Sequence, residues 1–289
     1  MASEPGVVVT LDGQLRDPRT PLLHADDLAA VRGDGIFESL LVRDGRPCLL
    51  ESHLGRLTQS ARMMDLPEPD LSRWRTAIAA ATAAWTERGG GEGVLRLIYS
   101  RGRESGSEPT AFAMIGAMAG RVAAARADGV AAVTVARSLP AEAASDMPWL
   151  LAGAKTLSYA VNMAALREAE RRGADDVIFV STDGVVLEAP TASVVWATDR
   201  TLRTTPVGPT GILPGTTQQL LFDRAAEAGW TTETGTARVD DLHAADTVWL
   251  ISSVRGPVDV VELDGKGRSR DLPVLAEIAR FAGFPPAAQ

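Results

Sequence analysis

Lysine is scarce in this chain: of its 29 basic residues only Lys155 and Lys266 are lysine, and the rest are arginine. Lys266 lies in the polar, turn-like stretch Leu263-Asp264-Gly265-Lys266-Gly267. Lys155 sits in Gly153-Ala154-Lys155-Thr156-Leu157-Ser158-Tyr159, after small and apolar residues and ahead of a helical pattern carrying Asn162, Met163 and Leu166. A desolvated amine can give up its proton, whereas a guanidinium cannot. A lysine kept where the chain otherwise uses arginine therefore fits an amine nucleophile, whose commonest use is a Schiff base with a carbonyl compound or cofactor. A surface lysine with its stem laid along apolar neighbours at a helix start is the other reading.

Four further features are of the kind that a phosphorylated carbonyl cofactor requires. Ile212-Leu213-Pro214-Gly215-Thr216-Thr217 runs into a helical pattern, so backbone N–H groups, two hydroxyls and the helix dipole would meet an anion there; an ordinary threonine cap is the alternative. Ser252-Ser253 ends an apolar strand and offers a second phosphate wall or a plain strand-end turn. Arg56, in His53-Leu54-Gly55-Arg56-Leu57, falls outside the Leu54, Leu57 and Ala61 stripe. It is placed either to clamp a phosphate or to sit in solvent. Glu188 closes the strand Val185-Val186-Leu187, where a carboxylate either holds a pyridine nitrogen protonated or is an edge charge.

The elements that must position these groups alternate irregularly. Apolar runs at 7–11, 36–42, 94–100 and 111–118 read as strands, with helices over 51–66 and 70–88. A second series begins at Val130, with a helix over 158–172, a hairpin turn at Asp183-Gly184, strands at 193–198 and 247–251, and helices over 215–229 and 272–281. The pattern is α+β or mixed α/β, in two domains: 1–119, a linker at 120–129, and 130–289. The net charge of −8 offers nothing to a nucleic-acid backbone or an anionic membrane. No apolar run approaches the roughly 20 residues of a membrane helix. The single cysteine, Cys48, cannot form an internal disulfide, which fits the cytoplasm. With three scattered histidines no metal-ligand set can be read.

Gly35-Ile36-Phe37-Glu38, His53-x-x-Arg56-Leu57, Lys155, Gly173-Ala174-Asp175-Asp176, Asp183-Gly184-x-x-x-Glu188 and Ile212-Leu213-Pro214-Gly215-Thr216-Thr217 follow one another in an order that resembles the class-IV, or fold type IV, pyridoxal-phosphate enzymes. These include branched-chain and D-amino acid aminotransferases and 4-amino-4-deoxychorismate lyases. The resemblance implies a two-domain fold, a C-terminal cofactor-binding domain and a homodimer. It implies Lys155 as the lysine that holds pyridoxal 5'-phosphate and Glu188 at the pyridine nitrogen. Arg56, Thr216, Thr217 and Ser253 would surround the phosphate, and Tyr159 and Ser193 would be outer cofactor contacts. Gln218 stands where many relatives carry arginine, and Ser193 where many carry asparagine.

Within the family, the run from Arg32 to Glu38, Ser100-Arg101-Gly102 and the compact length lean toward the lyases. The implied reaction splits 4-amino-4-deoxychorismate, a small-molecule substrate, into 4-aminobenzoate and pyruvate; an aminotransferase acting on a D-amino acid or a branched-chain amino acid is the alternative. Arginines suit the two substrate carboxylates. Arg101, with Arg32 behind it, is the expected partner of a carboxylate, and Phe37 is a further expected substrate contact.

Overall fold

Apolar residues repeating every second position build two sheets, and those repeating every three or four build the helices that cover them. The computed structural model describes residues 6–284. The chain divides into two compact units: one runs through Ala119 and adds Ala154–Tyr159, the other holds Gly120–Gly153 and everything from Ala160 onward.

The first unit carries β1 (Val7–Thr10), β2 (Leu15–Arg16), α1 (Leu28–Val31), β3 (Gly35–Arg43), β4 (Arg46–Pro47), α2 (Leu50–Met63), α3 (Leu71–Glu87), β5 (Gly93–Ser100) and β6 (Thr110–Ala117). Its sheet runs β2-β1-β6-β5-β3-β4, and every pairing is antiparallel. Leu54, Leu57 and Ala61 place the apolar stripe of α2 in the core, and each buried leucine contributes about 1.5–3 kcal/mol. α3 starts at Asp70, whose carboxylate accepts the N–H groups of Ser72 and Arg73.

β4 meets β3 only at Val42 and Arg43, which leaves the front half of β3 open on that side. The segment around Lys155 takes the place. Ile36 bridges Thr156, the Phe37 N–H donates to the Lys155 carbonyl at 2.9 Å, and the Leu157 N–H donates to the Gly35 carbonyl at 2.7 Å. Gly35 permits this approach, because a Cβ there would lie 2.7 Å from the Tyr99 carbonyl oxygen and 2.8 Å from both Leu157 Cδ1 and Ser100 Cα. Gly35→Ala is therefore expected to cost about 1–3 kcal/mol. Gly55, inside α2, has open space where a methyl would stand, with nothing within 4 Å, and should instead gain about 0.5–1 kcal/mol as alanine. Urea titration of the two variants checks the opposite signs.

The second unit carries α4 (Gly120–Asp128), β7 (Val130–Ala136), α5 (Ala160–Arg171), β8 (Asp176–Val180), β9 (Ser193–Thr198), β10 (Thr201–Thr204), α6 (Thr216–Glu227), β11 (Thr231–Thr234), α7 (Val239–Ala244), β12 (Thr247–Ser252), β13 (Gly256–Leu263), β14 (Lys266–Gly267) and α8 (Leu272–Phe281). The sheet order is β11-β10-β9-β12-β13-β7-β8, with β14 beside β13. Parallel pairs (β10–β11, β13–β7, β7–β8) mix with antiparallel ones, so the unit is mixed α/β as its pattern predicts. Gly120–Asp128, within the segment read as the interdomain linker, form helix α4, because an alanine-rich run has high helix propensity. Ala125 packs on the core, Arg126 donates to the Val254 and Arg255 carbonyls, and Gly129 at φ +83° ends the helix.

Candidate active site

Lys155 is fixed by its backbone on both sides within the first unit. Its carbonyl accepts the Phe37 N–H, and its own N–H donates to Ser60 Oγ at 3.1 Å. Ser60 is buried on α2. The ammonium lies 4.4 Å from the centroid of the Phe37 ring and 5.9 Å from that of Tyr159. These two rings meet edge to face at 5.3 Å. Aromatic faces shield the amine from water and limit where its nitrogen can point.

On the neighbouring position of β3, Glu38 enters a buried ionic group. Arg56 donates from Nε to Glu38 Oε1 at 2.8 Å and from Nη2 to Oε2 at 2.7 Å. His53 Nδ1 lies 2.7 Å from Oε2 and, since a carboxylate can only accept, carries the proton. His53, Arg56 and Ser60 sit three and four residues apart, so one face of α2 presents all three. Burial pushes the Glu38 carboxyl up, but the Arg56 charge and the hydrogen bonds from Arg56 and His53 outweigh it and hold the group at about 2. Burial holds His53 below its usual range, against the pull of Glu38, so it is neutral at pH 7.

Because the folded carboxyl lies below its ordinary 4.5, its stabilising contribution is fully present above pH 4.5 and is lost as pH falls toward 2. Wild-type unfolding free energy is thus expected to drop across that window by more than in Glu38→Gln. Urea titrations at several pH values would show it. At neutral pH the variant should be weaker by about 3–5 kcal/mol, since it leaves the buried Arg56 unneutralised.

The second unit gathers the hydroxyl and carboxylate groups. α6 begins after Gly215 with no side-chain cap, and the Oγ1 atoms of Thr216 and Thr217 each lie 3.1 Å from Ser253 Oγ at the end of β12. A Cβ on Gly215 would run into Ser193 Oγ on β9, so a side chain there would force that hydroxyl to turn away. Three hydroxyls at the positive end of a 12-residue helix suit a phosphate dianion. Glu188 is held at both oxygens: Oε1 accepts Arg137 Nη1 at 3.0 Å, and Oε2 accepts the Leu213 N–H at 2.9 Å. It thereby ties the end of the Asp183-Gly184 hairpin to the turn that opens α6.

Phe37, Tyr159 and Lys155 thus come together in one unit, and Ser193, Thr216, Thr217 and Ser253 in the other, with Glu188 on the same α6 turn. Arg56 is neither solvated nor alone: it is buried against Glu38. Arg101 is committed elsewhere. Its Nε and Nη2 bond Asp34, and Nη1 and Nη2 bond the Asp65 and Met64 carbonyls. A substrate carboxylate would have to break that set. Arg32 is exposed and bonds the carbonyl of Val31, and the next residue, Gly33, accepts Ser158 Oγ–H from the Lys155 segment. Sequence reading gave no role to Glu38, His53, Ser60 or Arg137. The spacing of 53, 56 and 60 on one helix face could have grouped His53 and Ser60 with Arg56, but nothing local marks Arg137. Among the described residues no group of three or more His, Cys, Asp or Glu is placed to hold a metal, and no helix is long and apolar enough to cross a membrane.

The family described as amino-transferase class IV matches residues 35–263. A Mycobacterium tuberculosis protein named bifunctional aminodeoxychorismate lyase / D-amino acid transaminase is 58% identical over 284 residues, covering 96% of this chain and 98% of its own length. A solved structure of a hypothetical aminotransferase from M. tuberculosis, in its PLP-bound form, superposes with a TM-score of 0.93 at 56% identity, covering 96% of this chain and 97% of the other. A fold IV transaminase from Curtobacterium pusillum gives 0.90 at 39% identity, with coverage of 96% and 97%. The chain belongs to the class-IV aminotransferase family and has its fold type IV architecture.

Proposed function

We propose that this chain is a pyridoxal-phosphate enzyme that splits 4-amino-4-deoxychorismate into 4-aminobenzoate and pyruvate, and that the same residues support transamination of D-amino acids. The observation that carries the reading is the likeness, over nearly the full length of both chains, to a relative whose name joins these two activities. The first unit supports it with a lysine pinned at both backbone groups, and the second with a carboxylate held at both oxygens and a hydroxyl-lined helix start.

When bound, pyridoxal phosphate supplies a pyridine ring that withdraws electrons from the substrate carbon bearing the amine. Lys155 is assigned to carry the cofactor through Nζ and then to act as the base. It takes the proton from the aminated carbon and returns one to the terminal carbon of the departing enolpyruvate. Glu188 keeps the ring nitrogen protonated, and Thr216, Thr217 and Ser253 hold the phosphate, with Ser193 and Tyr159 as outer contacts. Arg56 is assigned to the phosphate as well, in an orientation that Glu38 fixes. Phe37 flanks the substrate, and Arg32 is the arginine available to a carboxylate. The assembly is proposed to be a homodimer.

The test is to give the purified protein 4-amino-4-deoxychorismate, and separately D-alanine with a 2-oxo acid. Equal amounts of 4-aminobenzoate and pyruvate are expected in the first case. Transamination of branched-chain L-amino acids alone, with no 4-aminobenzoate formed, would sink the reading.

A further inference from the structure

The geometry points to Arg137 as a positioning residue for Glu188, acting on the cofactor's ring through that carboxylate. The inference rests on the reading of Glu188 as the partner of the ring nitrogen. Arg137 follows β7 directly. Its backbone N–H bonds the Val180 carbonyl at 2.6 Å, its guanidinium carbon lies 5.7 Å from the centroid of the Phe179 ring, and Nη1 reaches Glu188 Oε1 at 3.0 Å. Phe179 and Glu188 are themselves backbone partners, the Phe179 N–H donating to the Glu188 carbonyl at 2.9 Å. The arginine therefore lies over the β8 residue whose backbone pairs with that of the carboxylate.

A carboxylate oxygen accepts in its own plane, and two anchored oxygens define that plane. The Leu213 N–H fixes Oε2 and Arg137 fixes Oε1, so the remaining acceptor directions of Glu188 are set before any ligand arrives. Arg137 also sets a positive charge beside the carboxylate. The Glu188 side chain retains 16% of its surface and that of Arg137 40%. At such exposure the bare attraction is screened, so the geometric role is the larger one.

Four proteins test this: wild type, Arg137→Leu, Glu188→Gln and the double variant. Leucine keeps an apolar stem against Phe179 and removes the charge. Pyridoxal 5'-phosphate is titrated into each apo-protein, and the pH dependence of the visible band of each loaded protein is recorded. The dissociation constant is expected to rise about tenfold in Arg137→Leu and the band's pH profile to shift, while Arg137→Lys returns most of both. In the Glu188→Gln background, Arg137→Leu should change neither, since groups acting as one unit are not additive. If Glu188→Gln alters both readouts and Arg137→Leu alters neither, the proposal falls and the role of Glu188 stands. Independent, multiplying effects of the two substitutions also overturn it. If Glu188→Gln itself changes nothing, the reading of Glu188 fails and takes the proposal with it. Should Arg137→Leu not fold, Arg137→Lys and Arg137→Gln complete the same cycle with the same criteria.

Discussion

Lys155→Ala is expected to abolish turnover, and Lys155→Arg not to restore it, while Lys266→Ala leaves the rate unchanged. The chain's two lysines differ in every respect that matters to an amine nucleophile. Lys266 lies on the short exposed strand β14, at the sheet's margin. Lys155 is half-buried, has both backbone groups tied to β3 and α2, and points its amine across Phe37 and Tyr159. Arginine could keep the charge and much of the length but cannot lose a proton to become a nucleophile. The loss in kcat should reach several orders of magnitude, since covalent attachment and proton transfer both depend on one nitrogen. Borohydride treatment of the loaded enzyme followed by peptide mass spectrometry should leave the cofactor's mass on the peptide containing Lys155. Finding it on the Lys266 peptide would end the assignment.

Glu188→Gln is expected to lower kcat by about 100-fold or more while the protein still takes up its cofactor. The substitution does more than remove a charge. Glu188 receives two donors, Arg137 Nη1 and the Leu213 N–H, one on each oxygen. Glutamine has a single acceptor oxygen, so its NH2 must face one of those donors, and either the arginine or the α6 turn loses its anchor. A ring nitrogen without an anionic partner is less firmly protonated, and the interaction lost is one that strengthens as negative charge develops in the transition state. Glu233→Gln is the control: that carboxylate forms an exposed pair with Arg203, worth about 0–1 kcal/mol, and should leave kcat within twofold. If Glu188→Gln behaves like this control, Glu188 is not the ring's partner.

What could be read before the fold was seen follows the range of the interactions involved. The start of α6 was legible because a Gly-Thr-Thr turn and the helix it opens lie within a few residues of each other. Lys155 was legible because it is an exception in an arginine-rich chain. The ion group of Glu38 with Arg56 and His53 was not, since it needs β3 and α2 side by side, and no pattern within either element announces the other. Arg101 looked available because Asp34, 67 positions away in sequence, gives no local sign of claiming it. The helix at Gly120–Asp128 was not legible because weak amphipathicity hides a strong propensity: an alanine-rich run needs no clear apolar stripe to coil when one alanine reaches the core.

The grouping of Ala154–Tyr159 with the first unit has a consequence for inheritance. Along the chain the lysine belongs to the later half; in space its hydrogen-bonding host is β3, encoded more than a hundred residues earlier. A recombination breakpoint anywhere from Ala119 to Gly153 would deliver the lysine from one parent and the strand that seats it from another. Such chimeras should fail unless the parent of the first part has glycine at position 35 and the parent of the second a compatible residue at 157, even when each half folds well. Breakpoints after Ala160 carry the docked hexapeptide and its host together, so shuffling between relatives should be tolerated far better there.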